Sequence, residues 1–243
     1  MSYIDGFLIP VPTAKKAAFI AHACEIDPVF LEHGARRVVE CWGEDLPRGT
    51  TTDFHRAVDA RHDETIAFSW IEWPDKATRD AMHAKADDLA RTDPRVSREH
   101  NPLPFDGKRM IFGGFEPIVA AGDYRRGAWV QGFVLPAHDR DGYRRMAAEA
   151  WPLFAEYGAL QLVETWQDDV PEGKQTDFFR SVKTEPGEQV VFSWMLWPTR
   201  EVCDAAAEKM QSDERMKMPE GGMPFDPRRM IHAGFLPVVE LGG

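Results

Sequence analysis

This chain contains the same pattern of apolar and polar positions twice. In some short stretches apolar and polar residues alternate, and in others apolar residues recur at helical spacing. Residues 3–119 align with residues 128–239. The clearest twin stretches are Phe68-Ser69-Trp70 in the first copy and Phe192-Ser193-Trp194 in the second. Self-similarity at a fixed spacing indicates that one structural unit has been repeated.

Each copy predicts the same order of elements. An alternating strand, an amphipathic helix, two further strands and a second helix are followed by a long irregular segment and a last strand. The order β-α-β-β-α-β is typical of a ferredoxin-like unit, in which two helices cover one face of a four-stranded antiparallel sheet. The predicted fold class is therefore α+β, with two ferredoxin-like βαββαβ repeats at residues 1–121 and 127–243 and a linker at 122–126.

The strands are apolar on both faces, so the face that is not covered by helices must be buried elsewhere. We expect the two sheets to pack against each other, one from each repeat, as an internal pseudo-dimer. Two local details follow. The glycines within the first strand of each copy, Gly6 and Gly132, predict β-bulges, the commoner case, or the close approach of another group to the backbone. The shared pattern Thr-Asp-Phe-x-Arg-x-Val, at residues 52–58 and 176–182, predicts a short extended segment.

Composition excludes several classes of function. The net charge is −11 and the chain has no basic block, so neither a nucleic acid nor an anionic membrane surface is an expected partner. The three cysteines, Cys24, Cys41 and Cys203, do not match between the copies, which argues against a disulfide framework and for a reducing compartment. No apolar stretch approaches the ~20 residues of a membrane span. We therefore expect a cytoplasmic protein.

Both copies resemble the YbaA-like family of uncharacterised bacterial proteins, which belongs to the dimeric α+β barrel superfamily. The resemblance rests on Asp5-Gly6-Phe7, the Pro-x-Gly turn, Phe-Ser-Trp, the stretch from Pro104 to Ile111 and Gly113-Gly114-Phe115. It implies an intramolecular version of the dimeric α+β barrel, because family members usually carry one copy and dimerise. The second copy departs from the pattern, notably at Gln131. The resemblance supplies no activity.

Polar residues that recur in both copies are the first candidates for a site. The predicted catalytic residues are Glu40, Arg56 and His100, and the predicted ligand-binding residues are Asp53, Ser69, Arg109, Glu164, Asp177, Arg180, Ser193 and Arg229. Glu40 shares a strand face with apolar residues, so its carboxylate needs a polar partner. The other interpretation of the recurring charges is a set of structural ion pairs. His100 occurs only in the first copy, where the alternative to catalysis is a solvated loop residue.

Three hypotheses about the function remain open. One is a protein that binds a small molecule in a cavity between the two sheets and acts as a cofactor-free enzyme or as a binder. The alternative is a non-catalytic interaction or regulatory module whose aromatic strands serve only packing. The third, a haem or metal enzyme, comes only from the wider superfamily that the resemblance implies. No spacing typical of a metal site is present, and no cofactor is expected. The pseudo-dimer is expected to be a monomer or to pair further as a homodimer.

Overall fold

The structure is a computed structural model that describes residues 2–216 and 222–243. Met1, in the first predicted repeat, and positions 217–221, in the second, lie outside the described residues. Eight strands and seven helices follow one another along the described chain: β1 Tyr3–Pro12, α1 Lys16–Glu32, β2 Arg37–Asp45, α2 Phe54–Ala57, β3 Glu64–Trp73, α3 Lys76–His83, α4 Ala86–Thr92, β4 Ile111–Gly122, β5 Trp129–Ala137, α5 Arg140–Glu156, β6 Gln161–Asp169, α6 Phe178–Ser181, β7 Gln189–Trp197, α7 Arg200–Ser212 and β8 Ile231–Gly242.

The eight strands form one closed antiparallel barrel in the order β1-β3-β2-β8-β5-β7-β6-β4. Each half of the chain contributes four neighbouring strands, and the two halves are joined edge to edge by the pairs β2–β8 and β4–β6. Closure leaves no unpaired sheet edge between the halves. The predicted α+β class is confirmed, whereas the division at residues 121 and 127 stays a prediction.

Aromatic side chains from both halves fill the interior of the barrel. The rings of Phe68 and Phe192 stack face to face with centroids 4.4 Å apart, and those of Trp70 and Trp194 with centroids 4.5 Å apart. All four side chains are fully buried. The prediction of a ligand cavity between the two sheets is therefore wrong, because the twin Phe-Ser-Trp stretches occupy that space with their own rings.

Gly6 and Gly132 lie where these rings meet the facing strands. A Cβ atom at Gly6 would come within 2.9 Å of the Phe192 ring, and one at Gly132 within 2.9 Å of the Phe68 ring. The pairing of β1 with β3 runs through Gly6 without a shift in register, as does that of β5 with β7 through Gly132. The predicted bulges are therefore wrong: these positions are glycine because an aromatic ring from the other half packs against the backbone.

The outer face of each half-sheet is covered by helices. Trp73 and Trp197, which end the twin strands, point outward and pack against the helices of their own halves. Alternate residues of β1, β2 and β3 thus face the aromatic interior of the barrel, and the residues between them face the helices of their own half.

The segments predicted to be extended are instead short helices, α2 and α6. Asp53 caps α2 by accepting a hydrogen bond from the Arg56 amide, and Asp177 caps α6 in the same way. The two helices also join the halves, because the Thr52 hydroxyl donates to the carbonyl of Ser181 (2.7 Å) and Thr176 makes the equivalent bond to Ala57. Among residues 2–216 and 222–243, no helix is long and apolar enough to cross a membrane.

Substituting Gly6→Ala tests the role of the interior rings. Replacing a strand glycine with alanine ordinarily stabilises a protein slightly, but here the added methyl collides with Phe192, which is itself enclosed by other rings. We expect a loss of about 1–3 kcal/mol in the free energy of unfolding, measured by urea denaturation. In the double variant Gly6→Ala/Phe192→Leu, the two losses should be less than additive. Additive losses would contradict the proposed contact.

Candidate functional site

Most of the recurring charged residues hold turns in place. Arg109 forms a two-pronged ion pair with Glu64, both N–O distances being 2.6 Å, and donates to the carbonyl of Asp59. Asp59 has a left-handed backbone, with φ of 50°. In the second half, Arg229 binds Glu188 and the carbonyl of Lys183, whose φ is also 50°. The same device therefore stabilises a strained turn in both halves.

The pairs Asp53/Arg56 and Asp177/Arg180 have a similar part in the structure. Besides capping α2, Asp53 accepts a hydrogen bond from the amide of Gly49, and Arg56 donates to the carbonyl of Gly49. Asp177 and Arg180 repeat these contacts around Gly173. These residues fix the Pro-x-Gly turns, and their arginines are exposed.

His100 is an exposed residue of the long segment before β4. Its Nδ1 lies 3.4 Å from the Ser97 hydroxyl. Its neighbour Asn101 is buried and connects this segment to α1 through His22, with 2.6 Å between Asn101 Oδ1 and His22 Nδ1. The structure does not bring His100 together with Glu40 or Arg56.

The pairs Glu40/Ser69 and Glu164/Ser193 do not hold turns, because both lie in the layer between helix and sheet. Glu40 is opposite Ser69 across β2 and β3, and it accepts a hydrogen bond from the Ser69 hydroxyl. Glu164 is opposite Ser193 across β6 and β7. Of the predicted site residues, these four are the ones that face the helices on the outer face of the sheet.

A large cavity occupies this layer in the second half. It has a volume of about 1170 Å³, its floor is the outer face of β5, β6 and β7, and its walls come from α5 and α7. Its lining is mainly apolar, and Glu164, Ser193, Tyr143 and Gln131 are among its polar residues. The apolar side chains nearest these groups are Phe133, Leu135, Met146, Met195, Trp197 and Met230.

Glu164 is the ionisable group at the floor of this cavity. Only 9% of the residue is exposed, and the Tyr143 hydroxyl donates to its Oε2 at 2.7 Å. Burial raises the pKa of Glu164 to about 7, an effect that the hydrogen bond from Tyr143 opposes. Burial beside this carboxylate raises the pKa of Tyr143 well above its usual value. Tyr143 is therefore a neutral donor, and Glu164 can take up or release a proton near neutral pH.

Gln131 is a residue of the cavity that the sequence marked only as a departure from the family pattern. Its Oε1 accepts a hydrogen bond from the indole of Trp197 at 3.2 Å. An indole N–H is a donor only, so this contact assigns the carboxamide oxygen to Trp197 and leaves the NH₂ group for other partners. The Ser193 hydroxyl, also in the lining, is buried without a hydrogen bond of normal geometry among the described residues.

The first half fills the corresponding space. Asp5, in the place of Gln131, is buried and accepts hydrogen bonds from Trp73 (2.9 Å), Arg79 (2.8 Å) and His83 (3.1 Å). His83 stands where the second half has Ala207, and Ile26 where it has Ala150. A smaller cavity of about 470 Å³ lies farther out, between α1 and α4, and neither Glu40 nor Ser69 lines it.

Glu40 instead belongs to a pair of carboxyl groups. Asp27, on α1, is 1% exposed, and its Oδ2 has no hydrogen-bond partner among the described residues. Burial and then the proximity of Glu40 raise the pKa of Asp27 well above its usual value. Burial also raises the pKa of Glu40 to about 7. Two like charges in such an environment favour a shared proton.

Some residues of the two sites were not predicted. Asp27, Tyr143 and Arg79 have no polar counterpart in the other copy, where Trp151, Phe19 and Cys203 stand, so a search for recurring polar residues passes over them. The sequence signal for the cavity is a difference between the copies at other positions, where His83 and Ile26 of the first copy correspond to Ala207 and Ala150 of the second. Within the described part of the chain, no group of three or more His, Cys, Asp or Glu side chains could hold a metal ion.

Comparisons with known proteins identify relatives in sequence and in fold. The profile of a family described as "Protein of unknown function (DUF1428)" matches residues 2–107 and again residues 128–227. The uncharacterised protein YbaA of Escherichia coli K12 is 54% identical over 119 residues, which cover 49% of this chain and 98% of YbaA. YbaA of Shigella flexneri matches to the same extent. The family match in both halves shows a tandem duplication.

Two solved structures share the fold over nearly the whole chain. A candidate monooxygenase from Lactobacillus acidophilus NCFM has a TM-score of 0.56 at 12% identity, covering 99% of this chain and 96% of that protein. An anthrone oxidase-like protein has a TM-score of 0.53 at 11% identity, covering 99% of this chain and 92% of that protein. At such identities the likeness extends to the fold alone.

The raised pKa of Glu164 predicts a specific dependence of stability on pH. The folded protein holds this proton up to about pH 7, whereas the unfolded chain releases it near pH 4.5. The contribution of Glu164 to stability therefore falls as pH rises through this window, by of the order of 3 kcal/mol, and is constant outside it. Glu164→Gln should lack this part of the decline when urea unfolding is measured at a series of pH values, whereas the part that comes from Glu40, whose pKa burial also raises to about 7, should remain.

The control for this experiment is Glu172→Gln, at an exposed loop position. It should keep the pH profile of the unsubstituted protein. A profile of Glu164→Gln that parallels that of the unsubstituted protein between pH 4.5 and 7 would show that the carboxyl group is ionised in the folded state throughout this range.

Proposed function

This chain belongs to the DUF1428 family of proteins of unknown function, and we propose that it binds a small, largely apolar molecule in the cavity between α5 and the sheet of its second half. The observation that carries the proposal is the cavity itself, an apolar space of about 1170 Å³ with the buried carboxyl of Glu164 on its floor. Ligand sites in proteins are typically concave, mostly apolar and supplied with a few convergent polar groups.

The polar groups favour a neutral ligand. An anion beside Glu164 would add a second negative charge to a site in which burial already opposes ionisation of the first. Arg215, which lines the cavity, is held by Glu156 and Asp213 in ion pairs of 2.9 and 2.7 Å. Its charge is therefore neutralised within the protein, and the apolar walls supply most of the contact area that a ligand would bury.

Glu164 also suits proton transfer without a cofactor. General acid–base catalysis is most efficient when the pKa of the catalytic group lies near the working pH, and this carboxyl has a pKa of about 7. Tyr143 holds one carboxyl oxygen through its hydrogen bond and so orients the group. If the protein is an enzyme, the reaction we propose is the transfer of a proton between Glu164 and a hydroxyl or an activated C–H group of the ligand.

The two halves have different parts in this proposal. Each is a ferredoxin-like βαββαβ unit, and together they form the intramolecular equivalent of a dimer. The second half binds the ligand, whereas the first half closes the barrel and has the larger His83 and Ile26 at the positions of Ala207 and Ala150. We therefore expect one ligand for each chain. The free thiols of Cys24, Cys41 and Cys203 support our placing the protein in the reducing cytoplasm.

A pair of alanines on α5 provides the test. Ala150 lines the cavity, whereas Ala148 is exposed on the same helix. Small carbonyl, phenolic and acyl compounds that raise the melting temperature of the unsubstituted protein should also raise that of Ala148→Phe, because ligand binding stabilises the folded state. Ala150→Phe should abolish the shift, since its ring occupies the cavity. A hit that persists in Ala150→Phe binds elsewhere and contradicts the proposal.

The same variants separate an enzyme from a binder. A compound that binds in the cavity and undergoes proton exchange or turnover, lost in Glu164→Gln while its binding remains, identifies a catalyst. Binding without turnover identifies a binder. If no compound binds, the alternative of a non-catalytic interaction or regulatory module is favoured, for which the packing role of the aromatic strands is the supporting observation.

A further inference from the structure

We infer that the ligand of the second-half cavity is a rigid ring compound with a hydroxyl group at one end and a carbonyl group at the other, and that Gln131 selects it by donating a hydrogen bond to the carbonyl oxygen. This inference rests on the proposed function and deepens it by naming the chemical class of the ligand. Gln131 is thereby assigned as a specificity-determining residue.

The orientation of the Gln131 carboxamide provides the first step. Trp197 is fully buried at the floor of the cavity, and its indole N–H points to Gln131 Oε1. A flipped carboxamide would place two donors against each other and leave both unpaired in a buried setting, which is costly. The Gln131 NH₂ group, on a residue that lines the cavity, is therefore the available donor, and a donor of this kind recognises a carbonyl or a similar acceptor.

The corresponding position in the first half shows what this arrangement requires. There Asp5 accepts three hydrogen bonds, from Trp73, Arg79 and His83, and offers no donor. The second half keeps the tryptophan but has Cys203 and Ala207 in the places of the arginine and the histidine. Without an arginine and a histidine there, the Gln131 side chain has one hydrogen bond among the described residues, to Trp197, and it lines the open cavity.

Strand register gives the distance between the two polar ends. Gln131 is opposite Met195, and Phe133 is opposite Ser193, which is in turn opposite Glu164. Gln131 and Glu164 are thus two strands apart across the sheet and two residues apart along it. With standard strand spacing and rise, their Cβ atoms are about 12 Å apart. Because side chains on strands stand roughly perpendicular to the sheet, their polar ends are separated by about the same distance. Two hydrogen bonds of ordinary length then leave on the order of 6 Å between the polar atoms of a bridging ligand.

That span is about the distance between oxygen substituents at opposite ends of a six-membered ring. On β7, the strand between the two polar ends, Met195 and Ser193 face the cavity, and Phe133 is beside them on β5. The surface beneath such a ring is therefore mainly apolar, with the Ser193 hydroxyl as its polar group. Aromatic and thioether side chains make favourable contacts with a ring. At the end of the cavity opposite Gln131, the Glu164 oxygen that is not bonded to Tyr143 can accept a hydrogen bond from a hydroxyl group of the ligand.

Four compounds test the inference by isothermal titration or by the quenching of tryptophan fluorescence. The first is 4-hydroxyacetophenone, which has both groups at the required span. The second, 4-ethylphenol, lacks the carbonyl; the third, 3-hydroxyacetophenone, has a shorter span; and the fourth, 4-methylacetophenone, lacks the hydroxyl. We expect the first compound to bind about five- to tenfold more tightly than each of the others, as is usual for the loss of one neutral hydrogen bond.

Two variants isolate the role of Gln131. Gln131→Met keeps the length of the side chain and removes the donor, so the advantage of 4-hydroxyacetophenone over 4-ethylphenol should disappear. Trp197→Phe removes the indole donor that orients the carboxamide, and the same advantage should shrink. Since 4-ethylphenol has no acceptor for Gln131, its affinity in each variant reports any damage to the cavity itself.

The outcomes separate this inference from the proposed function. If Ala150→Phe blocks binding of 4-ethylphenol but Gln131→Met leaves the advantage of the ketone intact, the cavity is a ligand site and the inference about Gln131 is wrong. Equal affinities for the two hydroxyacetophenones would likewise overturn the inferred span. If none of the four compounds binds although other compounds give a thermal shift that Ala150→Phe abolishes, the inferred ligand class is wrong and the proposed function stands. If Ala150→Phe alters the binding of no compound, the proposed function is wrong and this inference fails with it.

Discussion

The structure depends on the stacking of Phe68 on Phe192 and of Trp70 on Trp194 across the axis that relates the two halves. These four rings are fully buried, and Gly6 and Gly132 accommodate them by presenting bare backbone. Removing a buried aromatic ring typically costs about 3–5 kcal/mol, a large share of the stability of an ordinary domain. The halves are consequently bound to each other by their most apolar surfaces, and the rings that meet there have to remain complementary in shape.

Because of this constraint, the two halves can differ in sequence more easily on the outer face of the barrel than in its interior. A side chain on the outer face meets only the helices of its own half, so a change there need not be matched by a change in the other half. In the first half, the outer layer contains Asp5 with its partners Arg79 and His83, and Asp27 beside Glu40. In the second half, the outer layer contains the cavity over Glu164.

Much of the architecture could be predicted from the sequence because it depends on patterns within each copy. The duplication, the order of the elements and the α+β class follow from the spacing of apolar residues. The location of the site could not be predicted in this way. Strand parity placed Glu40 on the same face as Val38 and Trp42, but both faces of these strands are apolar. Only the stacking in the interior shows which of the two faces the helices.

The local differences from the predictions have two origins. At Gly6 the deciding contact is with the Phe192 ring, which lies in the other half of the chain, so no local pattern distinguishes this close approach from a bulge. The segment around Asp53 is predicted to be extended but forms a helical turn, because Asp53 caps it through the nearby Arg56 amide. The bond from Thr52 to Ser181, which joins the two halves, adds a contact that no local pattern contains.

A polar residue that recurs in both copies therefore indicates a shared structural role rather than a functional site. Arg109 and Arg229, and likewise Asp53 and Asp177, recur because both halves must form the same turns. The glutamates recur as well, yet their surroundings do not, since Tyr143 faces one and Asp27 the other. In a fused pseudo-dimer, the residues that both halves share maintain the common fold. The chemistry that one half alone can perform has to reside in the positions where that half departs from its twin, and Gln131, Ala150 and Ala207 are such positions around the carboxyl of Glu164.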